Sequence, residues 1–94
     1  MSKIDAQDRY VSAENVVFCE LEGGSALLDL KSSSYFRLNE TAHFIWEQLD
    51  GDGATADAIA SALGESFEVA QEECLPDVLD ILEAFGTADL IVRK

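Results

Sequence analysis

Few side chains in this sequence have the chemistry that catalysis requires. His43 is the single histidine, and the two cysteines, Cys19 and Cys74, lie far apart and outside any paired ligand spacing. A hydrolytic triad needs a nucleophile beside a base, and a zinc site needs several such ligands held together. We therefore predict that this protein is not an enzyme, binds no metal and needs no cofactor.

Carboxylates are abundant, but their spacing does not match a known site. Asp50-Gly51-Asp52-Gly53 opens like a calcium loop, yet Ser61 stands at the twelfth position, where a chelating carboxylate is needed. This segment is typical of a turn. Glu72 and Glu73 are adjacent in a predicted helix, a pattern more typical of a solvated face than of an acid/base pair.

The formal net charge of -13 on 94 residues excludes several kinds of partner. From Asn39 onward the only basic residues are Arg93 and Lys94. Nucleic acids and anionic membranes attract clusters of Lys and Arg, so we predict that neither is a partner. The first residues lack an apolar run with a cleavage site, and no stretch has membrane-spanning length, so we expect a cytoplasmic protein with reduced thiols.

The first half of the chain has the pattern of a three-stranded antiparallel β-meander. Apolar segments at 16–21, 26–30 and 35–38 are separated by turn residues, among them Gly23 and Gly24. Residues 1–13 are expected to be a loose lead-in to a single domain at 14–94. In a meander the first and third strands each keep one unpaired edge.

Three helices are predicted after the meander, over residues 40–49, 55–63 and about 69–85. Asn39 is expected to cap the first helix and Gly64 to close the second. Pro76 lies inside the third helix, where a proline removes a backbone hydrogen bond, so we expect a kink or a restart there. The fold class is therefore α+β and winged-helix-like, although its acidic third helix argues against DNA binding.

An ordered set of short motifs resembles the PqqD family. They are Ala26–Leu30, Ser34–Ala42, Ile45-Trp46, Asp50-Gly51, Ile59-Ala60, Asp77-Val78, Ile81-Leu82 and Leu90-Ile91. The resemblance covers about residues 16–92. The aromatic pair Tyr35-Phe36 is more similar to the stand-alone leader-binding proteins of lasso-peptide pathways than to the protein of pyrroloquinoline quinone biosynthesis. Asp89 stands where a glycine is common in the family.

The resemblance implies a protein that binds a peptide and does no chemistry itself. Members bind the leader segment of a ribosomally made precursor as an extra strand on the free edge of the third strand, opposite the third helix. They present it to a separate processing enzyme such as a protease. Carried onto this sequence, the resemblance gives these peptide-binding residues: Ser34, Tyr35, Phe36, Arg37, Leu38, Cys74, Asp77, Val78 and Ile81.

Strand periodicity divides the third strand between two faces. Phe36 and Leu38 lie on one face, typical of core residues, and Tyr35 and Arg37 lie on the other. Arg37 is a base in an acidic region, where it is suited to hold an acidic leader residue or an intramolecular carboxylate. Two other functions stay open at this point: an acidic structural or regulatory subunit that docks a basic protein, and a peptide chaperone of the quinone pathway.

Overall fold

Two small antiparallel sheets and three helices form the fold, which a computed structural model describes for residues 4–94. The elements are β1 Arg9–Ser12, β2 Val16–Leu21, β3 Gly24–Asp29, β4 Ser34–Leu38, α1 Glu40–Leu49, β5 Ala54–Thr55, α2 Ala56–Phe67, α3 Gln71–Thr87 and β6 Ile91–Arg93. One sheet has the strand order β2-β3-β4 and the other β5-β1-β6. The predicted α+β class is confirmed, with its meander and three helices.

Two turns set the register of the β2-β3-β4 meander. Glu22 and Gly23 join β2 to β3, and Gly23 takes a φ of 84°, which glycine adopts without strain. Asp29 holds the second turn, since its Oδ1 accepts from Asn15 Nδ2 at 2.7 Å and from the Lys31 N–H at 3.0 Å. The hydrogen bond from Asn15, and then that from Lys31, lower the pKa of Asp29 below its ordinary value.

The meander presents one face to the core and one to the outside, because side chains alternate along each strand. On the core face, the facing residues Phe18, Leu27 and Phe36 form one row across the three strands. This row packs in the same cluster as residues of the three helices. The outer face carries Val17, Cys19, Leu21, Ala26, Leu28, Tyr35 and Arg37.

The core lies between the core face of the meander and the three helices. Ile45 of α1, Ile59 of α2 and Leu82 of α3 are all fully buried there. Trp46 and Phe85 meet edge to face, with ring centroids 5.6 Å apart and planes at 89°. This packing fixes α3 relative to the sheet and so positions the helix opposite β4.

Part of the predicted loose lead-in is a strand. Tyr10 is only 5% exposed, and β1 pairs with β5 through Ala54 and with β6 through Arg93. The expectation was wrong for Arg9–Ser12, because strands this short leave little periodic signal and their partners lie far away in the sequence. The expected lead-in at residues 1–3 lies outside the described residues.

The second helix extends past its predicted end. Gly64 lies inside α2 rather than after it, and a Cβ on this residue would lie only 2.6 Å from the carbonyl oxygen of Val69. The glycine therefore permits a close backbone approach, and the Val69 N–H donates to the Gly64 carbonyl at 2.9 Å. The helix instead ends at Phe67, and its C-cap residue Glu68 takes the left-handed conformation at φ 55°.

The third helix continues through Pro76. It runs from Gln71 to Thr87, so the predicted restart does not occur. The later start places the proline in the second turn, where it removes a single hydrogen bond, to the carbonyl of Glu72. After the helix, Asp89 has a φ of 59°, a left-handed conformation that glycine adopts without strain.

Candidate functional site

The backbone groups of Tyr35 and Arg37 point away from the meander. The Leu30 N–H donates to the Asn15 carbonyl at 2.8 Å, which fixes the hydrogen-bond alternation of β2 and β3. By that alternation, β3 bonds to β4 at Ser34, Phe36 and Leu38. Among the described residues, no strand pairs with the other side of β4, so the N–H and C=O groups of residues 35 and 37 lie along an open edge.

A groove separates this open edge from α3, and we call it the β4–α3 groove. It contains a cavity of about 390 Å³ and a neighbouring one of about 260 Å³, and Ile81 lines both. The larger cavity is lined by Phe36, Arg37, Leu38, Ala42, Ile81, Ala84, Phe85, Ala88 and Leu90. Almost every lining side chain is apolar, so the groove is suited to apolar side chains of a ligand.

The helix contributes a different set of residues from the predicted one. Asp77 and Ile81 line the groove as expected, but Cys74 and Val78 are 6% and 0% exposed and belong to the core. On a helix, positions 77, 81, 84 and 88 form one stripe, beside the core stripe that contains 74 and 78. Ala84 and Ala88 follow Ile81 by three and seven positions, and this helical spacing would have identified them as groove residues.

Three charged residues border the groove. Arg37 lines the larger cavity, whereas Asp77 and Asp80 line the smaller one together with Asn39 and Thr41. None of these three charged groups makes an ion pair with another residue in the described part of the chain. The groove is thus an apolar trough with carboxylates at one end, whereas the Arg37 guanidinium reaches over the outer face of the sheet toward Gly24.

The opposite edge of the meander, along β2, is built differently. A cavity of about 330 Å³ lies between β2 and α1, lined by Ser12, Val16, Phe18, Glu20, His43, Trp46, Glu47 and Asp50. His43 stacks on Phe18 with ring centroids 5.0 Å apart, and its Nε2 lies 3.9 Å from Glu47 Oε1. The ionisable side chains that line this cavity are three carboxylates and His43, which packs on Phe18.

Metal-binding side chains do not cluster in residues 4–94. No three or more His, Cys, Asp or Glu side chains of this part lie together in a group that could hold a metal ion. Cys19 is half-buried on the outer face of the meander, whereas Cys74 is buried in the core, so the two thiols lie in separate parts of the fold. No helix in residues 4–94 is both long and apolar enough to cross a membrane.

An open sheet edge beside an apolar groove is the arrangement by which small recognition modules add an extended peptide to a sheet. Residues 24–91 match the family model of PqqD, described as coenzyme PQQ synthesis protein D. The chain belongs to the PqqD family, which confirms the resemblance found in the sequence. No curated protein sequence matches it significantly.

Three solved structures have the same fold over most of the chain. Lasso peptide synthetase B1 complexed with the leader peptide has a TM-score of 0.77 at 23% identity, covering 89% of this chain and 98% of that one. TbiB1 in complex with the TbiA(beta) leader peptide has a TM-score of 0.76 at 25% identity, covering 86% and 93%. The PqqD part of Methylobacterium extorquens PqqCD, a stand-alone recognition element for ribosomally synthesised and modified peptides, has a TM-score of 0.80 at 21% identity, covering 96% and 95%.

Proposed function

We propose that this protein binds the leader segment of a ribosomally made precursor peptide as an added strand on β4. The open edge at Tyr35 and Arg37 is the observation that carries the proposal. It offers unpaired backbone donors and acceptors directly beside the β4–α3 groove. Two of the similar proteins, lasso peptide synthetase B1 and TbiB1, are complexed with leader peptides.

Backbone and side-chain contacts have separate roles in this binding. Each main-chain hydrogen bond to the edge contributes about 0.5–1.5 kcal/mol and does not depend on the peptide's sequence. An apolar leader side chain buried against Ile81 and Ala84 contributes about 1.5–3 kcal/mol, because it leaves water. The groove therefore selects the leader and fixes its register, while the edge supplies sequence-independent affinity.

The bound leader is presented to a separate enzyme, such as a protease, that processes the precursor. The protein itself does no chemistry in this proposal. Among the nine residues predicted from the resemblance, Ser34–Leu38, Asp77 and Ile81 are proposed to contact the leader. Such a carrier would act in the cytoplasm, where the precursor is made.

Residue-level hydrogen exchange tests the proposal directly. The ¹⁵N-labelled protein is titrated with a synthetic leader of the precursor encoded beside its gene, and exchange is followed by NMR. The amides of Tyr35 and Arg37 are expected to become protected, since they would donate to the added strand. The amides of Phe18 and Glu20, on the β2 edge, are the internal control and should not change.

Two results would contradict the proposal. One is saturable leader binding that leaves the Tyr35 and Arg37 amides unprotected, and the other is no leader binding at all. Salt provides a second control, because affinity that comes from the acidic surface would fall steeply with ionic strength. Main-chain pairing over an apolar groove is expected to depend only weakly on salt.

A further inference from the structure

The outer face of the meander is mostly apolar, and no helix or strand of residues 4–94 packs on it. Val17, Leu28 and Tyr35 form one row across β2, β3 and β4. Val17 is 41% exposed and Tyr35 53% exposed, although both are large and apolar. No outer-face side chain belongs to the core cluster, so this surface is not needed to hold the helices. A contiguous apolar surface of this kind marks an interaction site.

The charge beside this face differs in sign from that of the whole chain. Among the described strand residues, Arg37 is the only charged one whose side chain lies on the outer face, and Lys31 lies in the loop that follows β3. Neither of them makes a side-chain hydrogen bond or an ion pair within residues 4–94, whereas Arg93 bonds to Asp8 and Lys94 to Asp52. On a chain with a net charge of -13, the apolar row is therefore bordered by two cations that lack partners in the described part.

We propose that the outer face docks the enzyme that processes the precursor, through an apolar patch bordered by carboxylates. This inference rests on the proposed function, because it assigns a surface to that separate enzyme. A second copy of the chain fits the face poorly. It would bring two more cations and no carboxylate of this face to the interface, and would join two chains that each carry a net charge of -13.

Leader binding and enzyme docking would be coupled through β4. A strand added to the open edge extends the sheet, and its side chains alternate between the groove and the outer face. Every second leader side chain then lies beside Tyr35 and Arg37 and becomes part of the docking surface. The enzyme would contact protein and peptide together, so it is expected to bind the loaded protein more tightly than the empty one.

Three variants with one altered valine each test the docking surface. Val17 lies on β2, the strand farthest from the leader edge, so Val17→Glu adds a carboxylate to the outer face without touching the groove. Val92→Glu is the matched control, since Val92 is a 51% exposed strand valine in the other sheet. Val17→Lys adds a charge of the opposite sign at the same place.

The measurement is the affinity of the purified processing enzyme for each variant, with and without leader. That enzyme is the one that acts on the precursor whose leader the wild-type protein binds. Val17→Glu is expected to weaken enzyme binding at least tenfold, about 1.4 kcal/mol, because it sets a carboxylate against an acidic border. Val17→Lys should weaken it less, and Val92→Glu should bind like the wild type. Leader affinity should be the same for all four proteins.

Enzyme binding by Val17→Glu at wild-type strength would overturn the proposal. An equal loss of enzyme affinity in Val92→Glu would also overturn it. Equal losses of affinity in Val17→Glu and Val17→Lys would refute the carboxylates proposed at the border of the partner's patch. Circular dichroism establishes that each variant is folded before binding is measured. Failure of the proposed function has a different signature, since the wild-type protein would then bind no leader.

Discussion

The two free edges of the meander belong to the same small sheet but have opposite surroundings. The β4 edge borders an apolar groove, whose wall on α3 includes Ile81 and Ala84. The β2 edge borders a cavity whose wall on α1 includes Glu47, with Glu20 on the strand itself. Backbone availability is therefore similar at both edges, and the side chains around them differ.

This difference shows why an unpaired edge alone does not define a peptide site. Every edge strand offers N–H and C=O groups, and proteins commonly place charges beside an edge to prevent unwanted pairing. Carboxylates along β2 serve this purpose, because burying them under an added strand would cost desolvation energy. At β4 the neighbouring helix presents small and apolar side chains, so an added strand gains buried area instead.

The largest effect is expected from filling the groove with a bulky side chain. Ala84→Trp places an indole in the larger cavity, where it would occupy the volume that leader side chains need. Leader affinity, measured by fluorescence anisotropy with a labelled peptide, should fall on the order of 100-fold, about 3 kcal/mol. Ala84 is exposed, so the fold should be retained.

Glu47→Trp is the matched variant at the other edge. It introduces the same side chain at an exposed helical position that lines the β2 cavity. Leader affinity should stay within about twofold of the wild type, as for most surface substitutions. Similar losses of leader affinity in both tryptophan variants would mean that the two edges are equivalent in leader binding, despite their different surroundings.

A smaller effect is expected from removing one backbone donor at each edge. Arg37→Pro deletes an N–H that points out from β4, and Glu20→Pro deletes one that points out from β2. One lost main-chain hydrogen bond should weaken leader binding by about 3- to 10-fold in Arg37→Pro. Glu20→Pro should bind the leader like the wild type.

Both proline variants should remain folded, because neither substitution removes a bond of the β2-β3-β4 ladder. Thermal unfolding checks this point independently of binding. An Arg37→Pro protein with a normal unfolding midpoint and undiminished leader affinity would exclude strand addition at β4. In that case the groove would hold the leader through side chains alone.

Local signals predicted the groove's strand better than its helical wall. The Gly23 turn and the Asn39 cap are determined by neighbouring residues, and Asn39 Oδ1 does accept from the Ala42 N–H at 2.8 Å. The second sheet was missed because β1, β5 and β6 are short and pair across the length of the chain. Their residues become strands through tertiary contacts, and the Tyr10 side chain is buried because it packs in the core cluster with residues of the helices.

Predicting the helical wall of the groove requires separating two residues that are less than one helical turn apart. Val78 and Ile81 are three positions apart on α3, yet the first is fully buried in the core and the second lines the groove. Hydrophobicity does not separate them, since both are β-branched and apolar. The direction of α3 relative to β4 decides which stripe faces the strand, and that direction is set by packing such as the contact of Trp46 with Phe85.

The smallest effect is expected at Asp29, whose side chain connects the residue before β2 to the loop before β4. Its carboxylate accepts from Asn15, just before β2, and from Lys31, in the loop before β4. Because the folded state lowers the pKa of Asp29 from 3.8, its contribution to stability is present above that pH and is lost as the pH falls through the folded pKa.

Asp29→Asn should therefore unfold more easily at neutral pH and lose less stability on acidification. Unfolding midpoints across the acid range test this, with Glu22→Gln in the other turn as the control. An identical acid-induced loss in Asp29→Asn and the wild type would show that the two edges are held in register without this carboxylate.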